Sequence, residues 1–126
     1  MPPPVQSPRI PIWVGGWWPN KAPMRRAARW DGVFPGKLDS SGVPTVLAPE
    51  ELRDVIAYVG RHRTNRAPFD VVCSGHTPGD DRARGAAIVV PYAAVGLTWW
   101  IEAMDPWHRS FAEARTRIRQ GPPKGD

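Results

Sequence analysis

Two glycines, Gly15 and Gly16, stand where a short apolar segment gives way to a segment with helical character. Glycine has no Cβ, so a bound group can approach its main chain closely, and free amides at a helix start attract phosphate. Asn20 and Lys21 follow as possible side-chain donors at the predicted helix start. The layout predicts a phosphate-binding loop, and a turn glycine pair without a ligand is the alternative.

Large aromatic side chains flank the glycine pair and recur near the C-terminus. Trp17 and Trp18 directly follow Gly16, and Trp99 and Trp100 lie in the last predicted strand. A flat indole face can stack on a planar ligand ring, but tryptophan also fills cores and interfaces. Adjacent strand residues point to opposite faces, so at most one of Trp99 and Trp100 can enter a barrel interior.

His76 and Glu102 are the candidate acid or base residues. Each lies just past the end of a predicted strand, where its side chain could touch a substrate or transfer a proton. Solvent-facing loop positions are the alternative for both. Cys73 with His76 would give only two metal ligands, and His62 and His108 have no matching spacing, so no metal site is predicted. The expected role of Cys73 is that of a buried strand residue.

The composition is that of one globular domain. The 126 residues are 41% hydrophobic and 23% charged, with a net charge of +5. The arginines are dispersed along the chain, which favours solvated helix faces over a phosphate-handling cluster or a nucleic-acid surface. The single cysteine, the lack of an apolar run long enough to span a membrane and the lack of a signal peptide predict a cytoplasmic protein.

The elements that position these residues alternate between strands and helices. Four largely unbroken apolar runs, which suit parallel strands covered on both faces, predict strands at residues 10–14, 32–34, 69–74 and 97–101. Helices are expected after Asn20, over 49–63, within 80–95 with a kink or early end at Pro91, and over 106–120 with Phe111, Ala114 and Ile118 on one apolar face. This order predicts a parallel α/β sheet with right-handed crossovers.

The predicted elements define three stretches of the chain. Residues 1–9 form an extended, proline-rich leader, residues 10–120 the folded domain and residues 121–126 a flexible tail. Four βα units are half of an eight-stranded barrel, which usually takes about 250 residues when complete. The length of the chain therefore suits about half a barrel.

Two segments resemble a known family. The first, IPIWVGGWWPNKAPMRRAARWDGVFP at 10–35, combines PIWVGG, a helical RRAARW and DGV. It is similar to the corresponding segment of the luciferase-like flavin-dependent monooxygenases and oxidoreductases, a TIM-barrel family that uses FMN or the deazaflavin coenzyme F-420. The second, AVGLTWWIEAMDPW at 94–107, resembles the family's last strand and the loop after it. It departs from the family's AG-x-T-WW-x-E pattern at Val95, where alanine is common.

The resemblance implies the C-terminal half of a (β/α)8 TIM barrel, with about four parallel βα units. It implies an oxidoreductase or monooxygenase that transfers hydride or oxygen at a flavin-type ring and acts on a small molecule. The implied cofactor contacts are Gly15, Gly16, Trp17, Trp18, Asn20 and Lys21. The family's first four βα units carry much of the ring pocket and most residues assigned to chemistry, and they have no counterpart in this sequence.

We therefore expect this half to supply the cofactor-phosphate loop and part of the substrate wall. A homo-oligomer or a complementing N-terminal half would complete the barrel, because a half-barrel leaves two strand edges unpaired. Alone, the chain is expected to lack activity. The alternative is a non-catalytic half-barrel that works as an assembly or binding module. Neither nucleic acid nor a membrane is an expected partner.

Overall fold

The protein is described here by a computed structural model that covers residues 2–123. In chain order its elements are β1 (Trp13–Trp17), α1 (Lys21–Ala27), β2 (Gly32–Leu38), β3 (Pro44–Thr45), α2 (Pro49–His62), β4 (Asp70–Gly75), α3 (Arg82–Val95), β5 (Trp99–Glu102) and α4 (Phe111–Gln120). Met1 of the predicted leader and residues 124–126 of the predicted tail lie outside the described residues.

The four longer strands form a sheet in the order β1-β2-β4-β5, and each neighbouring pair is parallel. The two-residue strand β3 pairs antiparallel with the end of β2. Helices connect the successive parallel strands. The predicted α/β class with a largely parallel sheet is therefore confirmed, and β3 is an addition that the sequence did not predict.

One face of the sheet carries the core. Val14, Val33 and Val71 lie side by side in the strand register, and they pack with residues of the first three helices. The buried helix residues are Met24 and Ala27 of α1, Leu52, Val55 and Val59 of α2, and Tyr92 of α3. Because all three helices contribute to this single cluster, they cover the same face of the sheet.

Helix α2 follows its sequence prediction closely. Pro49 occupies the first helical position, and the Glu51 carboxylate accepts a hydrogen bond from the Ala48 N–H at 2.8 Å. A carboxylate there satisfies an amide that the helix itself leaves unpaired. The apolar stripe beginning at Leu52 is buried in the core.

The first strand begins and ends later in the sequence than predicted. The sequence predicted a strand over 10–14 that ended before the glycine pair, whereas β1 continues through Gly15 and Gly16 to Trp17. Both glycines pair with β2, opposite Phe34 and Pro35. The predicted apolar run thus overlaps only the start of β1, and both glycines lie inside the strand.

The later helices also correct two expectations. Pro91 neither ends nor shortens α3, which continues to Val95 and stops at Gly96 with a φ of 117°. In α4 the predicted apolar face is exposed, with Phe111 at 85%, and the buried residue is Arg117 at 4%. Helix α4 follows the edge strand β5, so within residues 2–123 no later helix covers that apolar face.

Across residues 2–123, no helix has both the length and the apolar character needed to cross a membrane.

Candidate functional site

A cleft of about 500 Å³ opens at the carboxyl ends of β1, β2 and β4. Its walls also include β3 and the loops that follow β4 and β5. The carboxyl ends of parallel strands are where α/β proteins build their sites, and this volume lies within the usual range for small-molecule pockets. The cleft is therefore the candidate functional site.

The glycine pair contributes to the cleft, but its two members differ. A Cβ added to Gly15 would meet only the Phe34 carbonyl oxygen, at an ordinary 3.6 Å, so this position is open to a ligand. A Cβ added to Gly16 would lie 2.3 Å from the Pro23 Cβ in α1. The lack of a side chain at Gly16 is thus required by helix packing, and only Gly15 has free space beside it. Trp17 lines the cleft beside them.

The other three predicted cofactor contacts lie outside the cleft lining. The ring of Trp18 packs against the core, 6.3 Å from the ring of Tyr58. The ammonium of Lys21 lies 3.7 Å from the centre of the Trp18 ring, a cation–π contact. Asn20 precedes α1 without a side-chain capping bond. The structure therefore groups Gly15, Gly16 and Trp17 at the cleft and places Trp18, Asn20 and Lys21 on the helix side.

His76 lines the cleft together with two residues of the loop after β5, Asp105 and His108. His76 Nε2 lies 2.9 Å from Asp105 Oδ2, and His108 Nδ1 lies 2.6 Å from Asp105 Oδ1. The two imidazole rings are 4.8 Å apart. Sequence reasoning singled out His76, set His108 aside and did not consider Asp105. The sequence DPWH, which follows the end of the last predicted strand and contains Asp105 and His108, could have indicated this cluster.

Asp105 is held as an ionised acceptor. Partial burial raises the pKa of its carboxyl, but hydrogen bonds from His108 and His76 outweigh that effect and hold the pKa below its usual value. Its Oδ1 also accepts the main-chain N–H groups of Trp107 and His108, at 3.1 and 3.0 Å. These bonds fix the carboxylate between the two imidazoles.

Glu102 lies at the end of β5, as expected, but its side chain is directed towards the helices. Its carboxylate accepts hydrogen bonds from Thr77 N–H and O–H, both at 2.7 Å, and from Trp100 Nε1 at 3.2 Å. Arg109 donates at 2.8 Å, and Arg117 Nε lies at 3.4 Å. Glu102 and Trp100 share a strand face, the one that packs on the helices. Glu102 thus lies at the same carboxyl end of the sheet as His76, but it is not among the residues that line the cleft.

Glu102 anchors the loop after β4 and helix α4 to the sheet. Burial raises the pKa of its carboxyl, but the bonds from Thr77 and Trp100 and the charge of Arg117 lower it by more. The guanidinium of Arg117 also donates to the Thr77 carbonyl at 2.9 Å. Arg117, which the sequence analysis assigned with the other arginines to solvated helix faces, is therefore a buried part of this network.

Cys73 lies at the base of the cleft and is buried, as predicted. Burial raises the pKa of its thiol to about 11. A thiol with so high a pKa stays protonated near neutral pH and is a poor nucleophile or metal ligand. Cys73 therefore serves in packing, which leaves His76 without a thiol partner.

The sheet face opposite the helices is here called the open face; its residues include Trp13, Gly15, Trp17, Asp70 and Trp99. The indole N–H groups of Trp13 and Trp99 donate to the two carboxylate oxygens of Asp70, at 3.1 and 3.2 Å. Trp17 and Trp99 remain 45% and 53% exposed. Trp100 instead packs among the helices, 5.3 Å from Tyr92, so of the Trp99-Trp100 pair only Trp99 lies on the open face.

Comparison with known proteins found no matching family model, no matching curated protein and no matching solved structure. The luciferase-like family and its cofactor therefore stay predictions from the sequence motifs.

Proposed function

We propose that this chain is half of a luciferase-like (β/α)8 barrel and forms one side of a site for a flavin-type cofactor, FMN or F-420. The observation that carries the proposal is the cleft, which lies at the carboxyl ends of parallel strands and includes Gly15, Gly16 and Trp17. As the resemblance implies, the assembled protein would be an oxidoreductase or monooxygenase that acts on a small molecule.

The sheet topology supports the half-barrel part of this proposal. In a doubly wound fold the strand order reverses and helices cover both faces, whereas a barrel keeps sequential order and places its helices outside. Here the order β1-β2-β4-β5 is sequential, and α1, α2 and α3 pack on one face. The open face then corresponds to the barrel interior.

The cleft residues fit the ring of a flavin better than its phosphate. Trp17 offers an exposed indole plane and Gly15 allows close approach of a flat ligand. The residues that line the cleft, all within 2–123, include no lysine or arginine. Main-chain amides near Gly15 would therefore have to bind the phosphate, because Lys21 is engaged with Trp18. When bound, the cofactor supplies hydride or oxygen transfer, and these residues orient it.

The test is a titration of the purified full chain with FMN and with F-420, followed by cofactor fluorescence. We expect saturable binding of one of them and at least about 10-fold weaker binding to Gly15→Val, because branched methyl groups would fill the open position. Gly60→Val is the matched control, since Gly60 lies on α2 with nothing within 4 Å of an added Cβ. Equal affinity for the Gly15→Val variant, or no binding by the parent, would contradict the proposal.

The open face favours the second candidate, a non-catalytic half-barrel that acts in assembly or binding. Trp17 and Trp99 are exposed there, and among residues 2–123 the strands β1 and β5 are the edges of the parallel sheet, each with one side unpaired. Such edges and apolar faces favour association with another copy or with a complementing half. Association of the chain without any flavin binding would support this candidate over the first.

A further inference from the structure

The cluster of His76, Asp105 and His108 has the composition of a metal centre. Each residue offers one ligand atom, and the three atoms all lie within 4.8 Å of one another. Two imidazoles and one carboxylate are a recurrent ligand set for divalent transition metals, with coordination positions left open for water or substrate. Nothing in the flavin proposal requires such a set.

The cluster is accessible from the cleft. All three residues line it, and their side chains are 21–37% exposed. Main-chain N–H groups of Trp107 and His108 hold the Asp105 carboxylate in place between the two imidazoles. An ion placed here would take three protein ligands and direct its remaining positions into the cleft.

The ligand spacing requires only a small adjustment. Ligand atoms at 2.0–2.2 Å from one ion lie roughly 3 to 3.5 Å from each other. The present N···O separations of 2.9 and 2.6 Å are those of hydrogen bonds through a proton. Binding would replace these protons with the ion, opening the short separations and closing the longest, at most 4.8 Å, by roughly 1 to 2 Å.

We propose that His76, Asp105 and His108 bind one divalent transition-metal ion whose open coordination positions face the cleft. This site would add a Lewis acid next to the ligand space that Gly15 and Trp17 border. The three side chains supply this site whether or not a flavin binds in the cleft.

The probe is Co²⁺, whose visible absorption reports coordination, titrated into the full chain without an affinity tag, with Zn²⁺ as competitor. We expect one Co²⁺ per chain, and affinity at least about 100-fold weaker in His76→Gln, His108→Gln and Asp105→Asn, since each removes a ligand. His62→Gln is the matched control. The sequence has three histidines, and His62 is the one outside the cluster. It lies on α2, where its Nδ1 is 2.9 Å from the Tyr58 carbonyl oxygen.

Circular dichroism on each variant separates ligand loss from unfolding. His108→Gln leaves the main-chain bonds to Asp105 in place, so at least this variant is expected to fold. Substoichiometric Co²⁺ binding by the parent would overturn the proposal. So would unchanged affinity in folded His108→Gln, or an equal loss in His62→Gln.

Discussion

The two faces of the sheet differ both in residue type and in burial. On the helix-covered face, Val33, Val71 and Leu52 are almost completely removed from solvent. On the open face, Trp17 and Trp99 keep about half of their surface exposed, and Trp99 donates its indole N–H to Asp70. The covered face is a finished core, whereas on the open face Val72 is buried but the tryptophans around it stay partly exposed and are held by hydrogen bonds to Asp70.

This difference indicates that the covered face determines folding, and under the proposed half-barrel the open face would be covered by a partner. Burial of apolar area contributes about 25 cal/mol per Å², so the covered face supplies most of the stability of the chain alone. The open face gains that contribution only when another surface covers it. Substitutions on the covered face should therefore mainly change the free energy of unfolding, and substitutions on the open face should mainly change self-association.

The largest expected effect is on the covered face. Leu52→Ala should lower the free energy of unfolding by about 2 to 5 kcal/mol, because it leaves a cavity in a packed core. Trp99→Ala on the open face should cost less, about 1 to 3 kcal/mol, because the half-exposed indole loses only one hydrogen bond and partial packing on Trp13. Urea unfolding of both variants at low protein concentration measures the contrast. Equal losses would mean that the open face already belongs to the core.

The Glu102 network should give a smaller, pH-dependent effect. Glu102→Gln should cost about 1.5 to 3 kcal/mol near neutral pH, since it weakens hydrogen bonds to a charged group beside buried Arg117. The folded-state pKa of Glu102 is lowered, so its contribution is present above the ordinary carboxyl pKa of about 4.3 and is lost as pH falls below it.

Unfolding free energies of parent and Glu102→Gln should therefore converge as pH falls through the acid range. Measurement at a series of pH values from neutral to about 3 tests this. A difference that stays constant down to the lowest pH would show that the charge of Glu102 does not stabilise the fold.

The glycine pair should give the third contrast. Gly16→Val should cost about 1 to 3 kcal/mol, because even its new Cβ would lie 2.3 Å from the Pro23 Cβ, far less than van der Waals distance. Gly15→Val, which points into open space, should cost less than about 1 kcal/mol. Thermal melts of both variants check this order, and the reverse order would contradict the assignment of the two glycines to opposite faces.

Much of the fold was predictable because local patterns agreed with it. The apolar stripe of α2 begins behind Pro49 and two glutamates, and this pattern alone sets a helix start and a buried face. The bounds of β1 were not predictable, because WVGGW does not alternate apolar with polar residues and glycine usually signals a turn. Its strand character comes from pairing with β2 and from the fit of Gly16 against Pro23.

The candidate site was predictable only in part. Gly15, Gly16, Trp17 and His76 follow from the rule that parallel strands end at one edge. Asp105 is 29 positions away from His76, and no local spacing joins them. The burial of Arg117 likewise depends on Glu102 and Thr77, which belong to other elements.

Under the proposed function the open face is the interior of an incomplete barrel, and self-association of the chain tests this most directly. Static light scattering over a concentration series should show the chain passing from monomer to dimer, with Trp99→Asp shifting that transition to higher concentration. Tryptophan emission should move to shorter wavelength as the dimer forms. A parent chain that stays monomeric at high micromolar concentration and binds no apolar dye would contradict the claim.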